Sequence, residues 1–257
     1  AEFKTKMLNI FMTDSVQEWI SDEDIRNRTG MRRVDDLNMA DGWECYIAMD
    51  FSKGHDLNGQ VYLCHRVAKD EEGKLKHEFF ADCDAWISEE EYNKATLNPL
   101  YREWVRQGWL HLSEGGVIDE NLILNRIIEV SQHANIIQFG YDKFDSARFV
   151  NVINAWLWGM GIDPKNMMKV ISQTFASFNA PVQAMEYLLK VEPAVIEFSP
   201  NPLFAWCFGN CVLLEDSGGF ENVKPVKRAH NKKIDIAICT LMCLILYYDD
   251  DNNKIII

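Results

Sequence analysis

Residues 43–50, Trp-Glu-Cys-Tyr-Ile-Ala-Met-Asp, read as a strand that is apolar on both faces, the pattern of a central strand in a covered sheet. Residues 59–68, rich in Val, Tyr and Leu, and residues 74–84 supply two more strands. Between those two lies Lys69-Asp70-Glu71-Glu72-Gly73, a hairpin signal. Three consecutive strands with short turns predict an antiparallel meander.

Beyond the meander the period changes. Residues 88–107 read as helix broken at Asn98-Pro99, with Ser88 and Glu91 spaced as a capping box. Residues 119–133 carry Leu122, Ile123, Arg126, Ile127 and Val130 at helical spacing. Residues 136–141 form another buried strand ending at Asp142, and 146–159 a helix. A short strand is expected at 167–171, a helix at 178–190 with Pro181 in its first turn, and an edge strand at 195–198. Residues 202–213 read as helix, 220–226 as extended, and 233–248 as a last helix. The order predicts an α/β fold whose mixed central sheet, an antiparallel meander followed by parallel strands, is flanked by helices. Residues 1–42 are expected to be an arm or linker with a short helix at 15–25, residues 43–250 the folded domain, and 251–257 a tail.

The chain has 257 residues, 47% hydrophobic and 25% charged, an ordinary globular composition. No apolar stretch is long enough to span a membrane, and the first residues do not read as a signal peptide, so a cytosolic protein is expected. The net charge of −13 argues against coating nucleic acid by bulk electrostatics, so any DNA contact requires a local basic patch. Lys224, Lys227, Arg228, Lys232 and Lys233, with His230, form the densest such run; Arg102, Arg106 and Arg148 are further candidates. Cys207/Cys211 and Cys239/Cys243, each spaced by four, could face each other as a zinc site, although buried thiols that behave as small hydrophobes are the plainer reading.

Three acids stand in apolar company. Asp50 and Asp142 each end a buried strand, where an α/β sheet opens a crevice. Asp235 opens the last helix on a stripe with Ile238, Cys239, Met242 and Leu246. Carboxylates held together repel one another, and a divalent cation with oxygen ligands relieves the repulsion. Each acid also has a structural reading, as turn residue, helix cap or partner of Lys232. Asp56, Asp145 and Asp216 compete for the same role.

Residues 46–52, Tyr-Ile-Ala-Met-Asp-Phe-Ser, followed by Asp56-Leu57, resemble the first nuclease motif of tailed-phage terminase large subunits. Gly140-Tyr141-Asp142 resembles the second, and Lys233-Ile234-Asp235-Ile236-Ala237 the third. Between them, in the family's order, lie Gln173, Asn201-Pro202-Leu203 with Trp206 and Asn210, and Asp216 before Lys224, Pro225 and Lys227. The resemblance implies an RNase H-like nuclease that cuts double-stranded viral DNA with two Mg2+ or Mn2+ ions about 4 Å apart. It also implies that Asp50 bridges the ions, that Asp142 and Asp235 hold one side each, and that Ser52 and Asp56 are auxiliary. Implied partners are an N-terminal packaging ATPase, whose phosphate-binding motif does not occur here, a portal and a small terminase subunit, all in the host cytoplasm. The chain departs from the family at Ile236, where glycine is common, placing a bulkier side chain near the expected metal site. Two other readings remain: a resolvase- or transposase-type nuclease of the same fold, and a docking module for portal or DNA that cuts nothing.

Overall fold

The computed structural model describes residues 16–51, 57–94, 98–144, 146–216 and 222–250. Among these, the strands are β1 (Val16–Glu18), β2 (Glu44–Asp50), β3 (Asn58–Lys69), β4 (Leu75–Ser88), β5 (His111–Ser113), β6 (Asn135–Tyr141), β7 (Met168–Val170), β8 (Ile196–Phe198), β9 (Cys211–Glu215) and β10 (Val223–Lys227). The helices are α1 (Asp22–Arg26), α2 (Glu89–Tyr92), α3 (Pro99–Gln107), α4 (Glu120–Val130), α5 (Ala147–Gly159), α6 (Phe175–Lys190), α7 (Leu203–Gly209) and α8 (Asp235–Asp249).

The central sheet runs β5-β4-β3-β2-β6-β7, with β8 added parallel to β4. The meander β2-β3-β4 is antiparallel, and β6 and β7 join β2 in parallel. A mixed sheet with an antiparallel meander and helical cover is therefore what the pattern predicted. β2 has a neighbour on each side and a core on each face, which explains its unbroken apolar run.

Alternate residues of each strand enter different cores. Tyr46 and Ala48 of β2, with Val61 and Leu63 of β3, face α8, α6 and α7. Cys45, Ile47 and Met49, with Tyr62 and Cys64, face α4 and α5. Helix α8 is buried almost all round, as expected for a helix packed between a sheet and other helices.

Several local expectations shift. Residues 16–42, read as an arm with a helix at 15–25, split into strand β1, paired with β9, and α1, capped by Ser21. Ile20, Ile25, Val34 and Leu37 of this segment are buried in the two cores, so it packs as part of the folded body. The helix expected at 202–213 ends at Gly209, and Cys211–Glu215 instead pairs with both β1 and β10. A short apolar run does not distinguish a buried helix from a buried strand, which is why the periodicity misled there. Helix α6 starts at Phe175, capped by Thr174, so Pro181 lies inside it and not in its first turn. Among the described residues no helix is long and apolar enough to cross a membrane.

Candidate functional site

Asp50 is the last residue of β2, two positions beyond Ala48, so alternation carries it onto the α8 face. In the parallel ladder Met49 pairs with Tyr141, which brings the next residues, Asp50 and Asp142, to neighbouring strand ends about 4.8 Å apart in backbone spacing. Asp142 lies two residues beyond Gly140, whose missing Cβ would point at Leu246 of α8, so it shares the same face. The Phe144 backbone N–H donates to Asp142 Oδ1 at 2.9 Å and fixes its carboxylate in a tight turn.

Asp235 arrives from above. Asp50 pairs across the ladder with Gly59, and a Cβ at Gly59 would lie 3.5 Å from Asp235 Cβ. A side chain there would press on Ile236 and the first turn of α8. Cys239, one turn further along, donates its thiol to the Gly59 carbonyl at 3.6 Å. Its pKa is pushed up by burial first and then by the negative charges of Asp50 and Asp235, so both acids lie within electrostatic reach of one sulfur. Asp235 also occupies the first turn of α8, where the helix dipole favours an anion.

The fold thus gathers Asp50, Asp142 and Asp235 at one end of the sheet, on one face, each half-buried. Their oxygens are the hard donors that Mg2+ or Mn2+ prefers. Among the described residues no group of three or more His, Cys, Asp or Glu side chains stands close enough together to hold a metal ion. Ser52, Asp56 and Asp145 lie outside the described residues. Ile236, expected beside the metal site, is buried and turns its Cδ1 toward Gly59, 3.0 Å from where a Cβ would sit. It therefore packs α8 onto β3.

The basic run divides. Lys224 lies on β10 with its Nζ 4.8 Å from the centre of the Phe175 ring, and Lys227 is exposed at the end of that strand. Arg228 pairs with Glu18 at 3.2 Å, an exposed contact of small energetic weight. Lys232 and Lys233 are half-buried and directly precede α8. Asn210 fastens this loop at both ends: its carbonyl accepts from Arg228 N–H at 2.8 Å, and its side-chain amide donates to the Lys233 carbonyl at 3.1 Å. Arg148 and Arg106 are held by Glu120 and Glu103, while Arg102 stacks over Tyr92.

The four cysteines weighed as a zinc site are buried. The Cys211 thiol donates to the Cys207 carbonyl and the Cys243 thiol to the Tyr46 carbonyl, both at 3.3 Å. Burial pushes all four thiols up, which favours the protonated form over the thiolate that zinc requires.

A second carboxylate cluster was not legible in the sequence. Asp82 and Asp84 of β4 are buried on the opposite face of the sheet. Asp82 Oδ2 accepts from Arg33 Nε and from the Val34 backbone N–H, each at 2.8 Å. Asp84 accepts from Arg126 Nε at 2.7 Å and from the Tyr62 hydroxyl at 3.0 Å, and lies 2.7 Å from His111 Nε2. Although burial opposes it, hydrogen bonding by His111 and the charge of Arg126 hold Asp84 well below the usual carboxylate range. In Asp82 burial outweighs Arg33 and the pKa rises. The alternation of acids with small apolar residues in Ala81-Asp82-Cys83-Asp84-Ala85 was the available signal.

A family model described as the terminase large subunit endonuclease domain matches residues 1–249. Protein YmfN of Escherichia coli (strain K12) is 24% identical over 262 residues, covering 97% of this chain and 53% of that protein. The crystal structure of the HK97 bacteriophage large terminase superposes with a TM-score of 0.66 at 20% identity, over 90% of this chain and 44% of that one. The large terminase nuclease from thermophilic phage G20c with bound magnesium gives a TM-score of 0.46 at 11% identity, over 87% of this chain and 95% of that one. The chain spans about half the length of YmfN and less than half that of the HK97 protein, and it shares with the latter an RNase H-like mixed sheet flanked by helices.

Proposed function

This chain belongs to the family of terminase large subunit endonuclease domains, and on that premise we propose that it hydrolyses phosphodiester bonds of double-stranded viral DNA during genome packaging, using divalent cations held by Asp50, Asp142 and Asp235. The observation that carries the reading is the convergence of these acids from two strand ends and a helix start onto one half-open edge. Structural ion pairs do not call for such an arrangement, whereas a site open to substrate does.

Asp50 ends β2, between β6, which leads into Asp142, and β3, whose Gly59 lies under Asp235, and it would be the acid shared between two cations. Asp142 is oriented by the Phe144 N–H, and Asp235 sits in the first turn of α8, a position that suits a negative charge. Bound Mg2+ or Mn2+, two ions in this class of chemistry, would supply Lewis acidity for the attacking water and for the leaving oxygen. Ser52 and Asp56 are proposed as auxiliary groups near Asp50. Lys224, Lys227, Arg228, Lys232 and Lys233 are proposed to contact phosphates, supplying affinity without sequence choice and falling off with salt. The packaging ATPase, portal and small terminase subunit in the host cytoplasm are the proposed surroundings of the whole protein. The docking-module alternative needs no metal, which separates it from this reading.

The test is plasmid cleavage with Mg2+, with Mn2+ and with chelator, for the parent and for Asp50→Asn and Asp235→Asn. Metal-dependent cutting abolished by both substitutions is the expected result. Cutting that survives both puts the chemistry elsewhere. A parent that neither cuts nor shows calorimetric metal binding is a docking module.

A further inference from the structure

Directly after Asp142 the chain exposes Lys143 and Phe144. The Phe144 side chain is 79% exposed, an unfavourable place for an aromatic ring in water. The Phe144 N–H that orients Asp142 holds the Phe144 backbone beside that acid. The acid edge therefore has an apolar rim at Phe144, next to the end of β6, while Lys232 and Lys233 lead into α8, whose first residue Asp235 lies over Gly59 of β3.

Cations near this rim differ in their engagement. Arg148 is held by Glu120, and Lys169 by Asp249. Lys143 is exposed, and among the described residues no carboxylate holds it. A lysine and an aromatic ring side by side at a phosphodiester-cutting edge match the surface of duplex DNA. Its phosphates accept the ammonium group, and its sugar and base faces accept the ring. Phenylalanine has no hydrogen-bonding group with which to read a base edge, so such a contact tolerates any sequence.

We propose that Phe144, flanked by Lys143, packs against the sugar–base face of bound duplex DNA beside the scissile phosphate and so positions that phosphate over the acids. The inference rests on the nuclease reading above. Its test uses a short fluorescein-labelled duplex, with binding followed by anisotropy in the Asp235→Asn background and cutting followed in the otherwise unaltered chain. Phe144→Ala is expected to weaken binding about tenfold and to raise KM in parallel. Phe144→Trp should keep binding within about twofold, and Lys143→Gln should lower the slope of affinity against salt. The thermal midpoint should not move, because the ring touches little of the protein. A benzophenone side chain placed at 144 should crosslink to the duplex. Parent-like binding and cutting by Phe144→Ala overturns the proposal, as does a Phe144→Trp variant as weak as Phe144→Ala. A parent that neither binds nor cuts DNA overturns the nuclease reading itself, a separate and recognisable failure.

Discussion

On the α4–α5 face of the central sheet, Asp82 and Asp84 are sealed from solvent and gripped by Arg33, Arg126, His111 and Tyr62. On the α8 face, Asp50, Asp142 and Asp235 gather at a strand edge and remain half-exposed. Both groups are acids carried by the same sheet, yet they serve opposite ends. A carboxylate neutralised by a fitted guanidinium is fastened in place and leaves no room for substrate. Carboxylates delivered to an open edge can still receive a cation and a phosphate. The sealed cluster also ties the segment 16–42 to the sheet, because Arg33 belongs to it and Asp35 accepts both outer nitrogens of Arg126.

The comparison breaks most readily at Arg126. Arg126→Met leaves Asp84 buried without its main counter-ion, which should cost about 3–5 kcal/mol in urea unfolding. Cutting per folded molecule should stay near the parent's. Intact stability with lost cutting would assign Asp84 to the chemistry and erase the distinction between the faces.

Acidification separates the faces next. His65, on the α8 face beside Phe79 and Tyr247, has its pKa lowered to about 4 by burial and then by His77. The unfolded chain takes up this proton near pH 6.5 and the folded chain only near pH 4, so stability falls as pH drops through that window, by about 3 kcal/mol in all. Asp84 is depressed in the folded state, so its contribution is present above the ordinary carboxylate range and is lost only below about pH 4. Two steps are expected in stability against pH, and His65→Gln should flatten the upper one. An unchanged upper step in that variant would transfer it to another group.

Asp142→Asn probes the open edge. It keeps the shape of the side chain and an acceptor for the Phe144 N–H, so the thermal midpoint should barely shift. Cutting should fall at least about a hundredfold, roughly 2.7 kcal/mol of transition-state stabilisation. A large drop in stability with cutting preserved would make Asp142 a turn residue only.

Much of this was readable in the chain because the relevant signals are local. The unbroken apolar run before Asp50 marked a central strand, and the same logic placed Asp142 at a strand end and Asp235 at a helix start. The sealed cluster was not readable, since Arg33, Arg126 and Asp84 meet only through pairings distant in sequence. Residues 211–213 were mistaken for helix because their strand character comes from β1 and β10, not from their own pattern. Asn201 and Asn210, noted as motif members, prove to be fasteners: Asn201 donates to the Cys83 carbonyl at 2.9 Å and accepts from Leu203 N–H at the start of α7.

The finest test concerns the two glycines under α8. A Cβ at Gly140 would lie 2.6 Å from Ile171 Cδ1 and 3.1 Å from Leu246 Cδ1, both ends of side chains able to give way. Gly140→Ala should therefore cost about 1 kcal/mol of stability and little activity per folded molecule. At Gly59 the added methyl meets Ile236 Cδ1 at 3.0 Å and Asp235 Cβ at 3.5 Å, so the strain falls on the start of α8, where the third acid sits. Gly59→Ala should cost no more than about 1 kcal/mol in stability yet lower cutting about tenfold, since small displacements of a reacting group are amplified in rate. Shortening the neighbour with Ile236→Val should restore part of that loss in the double variant. If Gly59→Ala and Gly140→Ala affect stability and cutting in the same proportion, Asp235 gains nothing from its close seat on β3, and the position of α8 matters to packing alone.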